Sequence, residues 1–172
     1  GQRYVVDSHW INTTDEEQTG RVQMQLGFID AEEVEHRAGT FNLDKAGLSV
    51  PPGTWTEEVD CELSETPVNV LQMGPHMHYH GSHYAVDIVR SDGAVDRVLE
   101  VEEWIPVYRD DPPMWNWDPG ELVVHPGDIV RTLCTWENPY DENLEFPDEM
   151  CTTFGAGFPM SVDIFCGGGL SF

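Results

Sequence analysis

The stretch "VVHPGDIVRTLCTW", Val123 to Trp136, holds two strand candidates around a single turn. "ELVVH" leads into "HPGD" (His125 to Asp128), and "DIVRTLCTW" leads out of it. Proline and glycine side by side suit such a turn, because proline presets its own φ and glycine accepts a positive one. Outward from here the pattern repeats. "RVQMQLGFI" (Arg21 to Ile29) and "HYAVDIVR" (His83 to Arg90) alternate polar and apolar residues, and "NVLQMGPHMHYH", "RVLEVEEWIPV" and "SVDIFC" are further strand candidates. "PPG" (Pro51 to Gly53), "SDG" (Ser91 to Gly93) and "DPG" (Asp118 to Gly120) punctuate them, and no segment keeps a helical period over three turns. Many short strands at this spacing predict an all-β chain, an antiparallel β-sandwich of jelly-roll type.

The 172 residues are the size of one domain, and no repeat or linker divides them, so a single domain over 1–172 is expected. "YRDDPPMWNWDPG" is the longest irregular stretch, and its proline density predicts an exposed excursion. Trp115 and Trp117 within it suit a ligand platform or, more commonly, packing at the edge of a core.

Composition narrows the function. The net charge is −24, from 32 acidic residues against eight basic ones, and Lys45 is the only lysine. Such a surface repels phosphate backbones and anionic headgroups, so neither nucleic acid nor a membrane surface is an expected partner. A solvated acidic protein is the plain reading. No apolar run approaches the 18 or so residues that a spanning helix needs. The opening "GQRYVVDSHW" lacks the basic start and apolar stretch of a secretory signal, as expected of a mature end or an artificial boundary. Cys61, Cys134, Cys151 and Cys166 form no C-x-x-C pair. An even number of widely spaced cysteines predicts two disulfides and a secreted or otherwise extracytoplasmic setting, with three pairings open.

Four of the seven histidines lie in "GPHMHYHGSH", Gly74 to His83. In a strand, residues i and i+2 share a face, so His76 and His78 can converge on one metal ion. His80 and His83 are expected to swing away at a turn beginning at Gly81. Two histidines need a third ligand. A cupin-like site would use His76, His78 and a distant His125, but no glutamate follows His78 where cupins usually place one.

Read together, "AGTF" and "VPPG", Cys61, the H-x-H strand, "VEEW", "VVHPGDIVRTLCTW", "DEMC" (Asp148 to Cys151) and Cys166 resemble one family. It is the copper type II, ascorbate-dependent monooxygenases, which include peptidylglycine α-hydroxylating and dopamine β-monooxygenases, and the similarity is to their C-terminal catalytic domain. The resemblance covers most of the chain, in order. It implies that His76, His78 and Met150 hold the copper that binds dioxygen and hydroxylates a C–H bond, with ascorbate or another external reductant. Two neutral imidazoles and a soft thioether suit Cu(I) and leave a coordination position open. The resemblance also implies the pairing Cys134–Cys151 and Cys61–Cys166.

The sequence departs from the family at two places. Hydroxylation needs a second electron, which the family draws from a copper held largely by an N-terminal domain with adjacent histidines; no His-His occurs here. Residues 1–30 resemble the bridge from such a domain, and His9 falls where a ligand of that second site stands. The peptide-hydroxylating member also carries an arginine two residues before its first ligand histidine, and an asparagine and a tyrosine after its E-M-C. Here those positions are Gly74, Thr152 and Phe154. Without groups that clamp a carboxylate, a small, less polar, non-carboxylate substrate is expected. A copper-binding module that does not hydroxylate is the other outcome of the same resemblance.

Overall fold

In the computed structural model, which describes Val6, Ser8, residues 14–160 and residues 164–166, twelve strands form among the described residues. They are β1 (Gly39–Asp44), β2 (Ser49–Val50), β3 (Gly53–Cys61), β4 (Val68–His76), β5 (Gly81–Val89) and β6 (Val95–Val101), then β7 (Trp115–Asn116), β8 (Val123–Val124), β9 (Ile129–Asn138), β10 (Leu144–Glu145), β11 (Thr152–Phe158) and β12 (Ile164–Cys166). One sheet runs β12-β1-β11-β4-β7, with β8 also on β4; a second runs β3-β9-β5-β6; β10 and β2 form a small pair. All pairings are antiparallel except β1 with β12. The fold is an antiparallel β-sandwich, as the strand pattern predicts.

The chain divides into two units, residues 1–35 and residues 36–172. In the first, the described residues hold one short 3-10 turn, Ala31–Glu33. Residues 21–29 form no strand, contrary to their alternation, and Val22, Met24, Leu26, Phe28 and Ile29 are exposed. Period-two patterning makes a strand only when a neighbour accepts its backbone bonds and covers its apolar face. His9 lies outside the described residues.

In the second unit β9 shows how sequence becomes sheet. Val130, Thr132, Cys134, Trp136 and Asn138 are buried, and the residues between them face out. Trp136, Tyr84, Phe41, Leu43, Met73 and Ile88 fill the core. The turn "HPGD" closes ahead of β9: Gly127 has φ +83° and Asp128 N–H donates to the His125 carbonyl at 3.0 Å. Both disulfides form as the resemblance implies, Cys61–Cys166 and Cys134–Cys151, each with Cα atoms 5.9 Å apart. Each links the two sheets, since Cys61 ends β3 and pairs with β12, and Cys134 of β9 pairs with the residue that precedes β11. A hydroxyl chain crosses between the sheets beside them. Tyr84 donates to the Thr152 carbonyl at 3.0 Å and meets the Thr153 hydroxyl, which also meets that of Thr132.

The proline-rich stretch after β6 does not project as an excursion. A 3-10 turn, Pro106–Arg109, and β7 lay it along β4, where Trp117 N–H donates to the Leu71 carbonyl at 3.0 Å. Trp115 and Trp117 pack partly buried against the core.

Candidate metal centre

Strand register assembles the site. On β1, β11 and β4, Asp44 lies opposite Thr152, which lies opposite His76. The next row is Asn42, Phe154 and Gly74. Side chains two apart along a strand share a face, so the two rows make one surface. Met150 enters two residues ahead of Thr152, at the end of β4 that carries His76. A cavity of about 520 Å³ opens there, lined among others by Asn42, Asp44, His76, Met150, Thr152 and Phe154.

His76 ends β4, and the chain turns at Tyr79 and His80, two residues earlier than the sequence suggests, so that β5 already begins at Gly81. The rings of His76 and His78 stand edge to face, with centroids 5.2 Å apart and planes at 88°. Imidazole nitrogens bound about 2 Å from one ion at tetrahedral angles bring ring centres roughly 5 Å apart. The 5.2 Å between the two ring centroids is of that size. Among the described residues, no three His, Cys, Asp or Glu side chains are grouped to hold an ion. Met150 lines the same cavity as His76 and carries a thioether, a donor of the soft kind that Cu(I) accepts.

The two imidazoles sit in different settings. Burial pushes the His76 pKa down to about 4, helped by the nearby charges of His78 and Arg109 and opposed by Asp110. Its ring is neutral at physiological pH, with a lone pair free for a metal. His78 Nδ1 lies 3.1 Å from the Asp148 carbonyl oxygen. A carbonyl only accepts, so Nδ1 carries the proton in this bond.

The backbone of His78 is gripped at both ends. Trp104 Nε1–H donates to its carbonyl at 2.9 Å, and its own N–H donates to Glu149 Oε2 at 2.9 Å. Glu149 and Trp104 escaped the sequence reading. Both lie in quoted motifs, Trp104 in "VEEW" and Glu149 in "DEMC", but nothing local gave either residue a role at the site.

The other expected residues fall into place differently. Thr152 and Phe154 line the cavity, and the Thr152 hydroxyl donates to Asp44 Oδ1 at 2.6 Å. Gly74 is buried rather than open: Met114 lies where a Cβ would stand, and Phe154 Cζ is 3.0 Å from that point. His80 packs edge-on to Tyr140, ring centroids 5.3 Å apart, and His83 pairs with Glu100 at 3.0 Å. His125 is exposed and lines a different cavity, with Arg90 and Asp128. It follows β8, which joins β4 at Val68, eight residues from His76. Eight strand residues span roughly 26 Å, too far for a cupin-like trio of His76, His78 and His125.

Lys45, the one lysine, is ion-paired with Glu57 at 2.5 Å, while Asp44, Glu145 and Glu149 also border the cavity. The cavity is thus unfavourable to anions, and Leu48, Phe146 and Phe154 give it apolar walls. Comparison with protein-family models and with curated proteins finds no match to the chain.

Proposed function

We propose that residues 36–172 form a copper-binding catalytic domain that hydroxylates a C–H bond of a small, neutral, weakly polar substrate. One observation carries this reading: two imidazoles 5.2 Å apart, one of them sharing a cavity with the thioether-bearing Met150. Copper held by His76, His78 and Met150 would supply oxygen activation, with electrons from a reductant of the ascorbate type. The chain's own residues do the rest. His76 and Met150 face the space where a substrate lies, Phe154 and Leu48 bind its apolar part, and Thr152, tied to Asp44, fixes the polar edge. The acidic border turns carboxylates away. Two inter-sheet disulfides suit an extracytoplasmic setting, and no helix among the described residues is long and apolar enough to cross a membrane.

Met150→Ile tests the ligand set. The variant is expected to lose Cu(I) affinity by about ten- to a hundredfold and to lose sulfur scattering in X-ray absorption of the copper-loaded protein. Unchanged affinity and scattering would reject Met150 as a ligand. Ascorbate- and oxygen-dependent hydroxylation of an apolar probe such as a phenylalkane then separates a complete catalyst from a copper-binding module. A module binds copper without turnover until a second copper domain is supplied, because one Cu(I) delivers one electron and hydroxylation needs two.

A further inference from the structure

Glu149 is fully buried, yet it has no cationic side chain as partner among the described residues. Its carboxylate is instead surrounded by N–H donors. Oε1 accepts from His80 N–H at 2.6 Å, and Oε2 accepts from His78 N–H at 2.9 Å and from Trp136 Nε1–H at 3.0 Å. Three donors and no acceptor define a site built for a carboxylate, since an amide in its place would aim its own N–H₂ at other N–H groups. Burying a charge is costly unless such bonds satisfy it. A hydrophobic residue would serve the sandwich at lower cost, so the position of the charge calls for a reason at the site.

The reason lies in what Glu149 joins. His78 and His80 sit in the turn between β4 and β5, which no sheet ladder holds at those residues. Met150 follows Glu149 directly, and Cys151 is bonded to Cys134 of β9, whose Trp136 also reaches Glu149. One carboxylate therefore ties the histidine turn, the methionine segment and the rigid β9 strand together. Three of the roughly four lone-pair sites of its carboxylate are taken by N–H groups, two on Oε2 and one on Oε1.

We propose that Glu149 is the positioning residue of the candidate copper centre, its three N–H bonds holding the His78 turn and Met150 in ligand geometry and setting a carboxylate beside the cation. This rests on the copper reading above. The charge favours Cu(II) over Cu(I) relative to a neutral residue, so it lowers the potential of the couple as well as fixing the geometry.

The test compares the full chain with Glu149→Gln and Trp136→Phe. Backbone amide exchange is measured on the metal-free proteins, Cu(I) affinity by competition with a chromophoric Cu(I) chelator, and the Cu(II)/Cu(I) potential by titration. In Glu149→Gln the His78 and His80 amides are expected to lose protection while β9 amides keep theirs. Cu(I) affinity should fall by roughly ten- to a hundredfold, and the potential should rise, a change that a purely structural role would not produce. Trp136→Phe keeps the charge and removes one donor, so it should weaken Cu(I) binding by a few-fold and leave the potential unchanged. If Glu149→Gln does not fold, Trp136→Phe decides: unaltered Cu(I) affinity in a folded protein overturns the proposal. So does a Glu149→Gln protein that binds Cu(I) as tightly as the parent at the same potential. A parent chain that binds no Cu(I) overturns the copper reading itself, a failure distinct from either of these.

Discussion

Gly74 and Met114 share one space. Met114 rests where a Cβ at position 74 would project, and Phe154 borders it at 3.0 Å. An arginine introduced at 74 therefore cannot lie in the cleft without expelling Met114. Gly74→Arg is expected to cost about 1–3 kcal/mol through overpacking, measured by urea unfolding, and to create no affinity for an N-acylglycine. The paired variant Gly74→Arg with Met114→Ala should recover part of that stability; if it does not, Met114 is not what fills the space. At this scale the sequence reads unevenly. His76 and His78 stand out because the alternation of a strand brings them together locally. Glu149 stays hidden because its partners His78 and His80 are 71 and 69 positions away, a distance no local pattern encodes.

Among the elements, β11 is the least legible and the most important to the site. "TTFGAGF" looks too glycine-rich for a strand interior. Folded, those glycines admit neighbours at close range: Val68 Cγ1 stands 2.7 Å from a Cβ position on Gly157, and the Gln72 carbonyl oxygen 2.5 Å from one on Gly155. The segment 21–29 errs the other way, with strand periodicity and no strand. Strands β5 and β9 were readable because their sequences combine β-branched residues with flanking turns. The turn before β9 has its own acid sensitivity. Burial alone would raise the Asp128 pKa, but N–H groups of His125 and Ser91 and the Arg90 guanidinium outweigh it and hold the carboxyl below its usual range. A lowered folded pKa gives stability that is complete above the unfolded value near 4 and is lost as pH falls below it. Asp128→Asn should flatten the fall in urea stability below about pH 4 and, having lost one of the two oxygens that serve three donors, cost about 1–3 kcal/mol at pH 7. The Cys134–Cys151 bond closes a short loop, with 17 residues of separation, beside Met150. Its selective reduction is expected to lower Cu(I) affinity at a temperature where near-UV circular dichroism still reports a folded core. Unchanged affinity after reduction would separate that disulfide from the metal centre.

Across the whole molecule, charge is the dominant long-range force. Three of its eight basic residues are ion-paired at one sheet, Arg97 and Arg131 on its strands β6 and β9 and Arg90 just past the end of β5. Arg131, for example, lies between Asp60 at 2.7 Å and Glu58 at 3.6 Å. Salt weakens these pairs, but it also screens the repulsion among an excess of 24 negative charges. Exposed pairs contribute little each, typically under about 1 kcal/mol, whereas the repulsion is summed over the whole surface. Net stabilisation by salt follows. Raising NaCl from about 0.01 M, where the screening length is roughly 30 Å, to about 0.15 M, where it is roughly 8 Å, should raise Tm. A gain of about 1 kcal/mol corresponds to roughly 2–4 °C for a chain of this size. The same rise should shrink as acidic residues are replaced by neutral ones on the exposed faces, and it should be smaller still at pH 4, where carboxylates begin to protonate. A Tm that falls with salt at pH 7 would show instead that the arginine pairs on one sheet outweigh the repulsion of the entire surface.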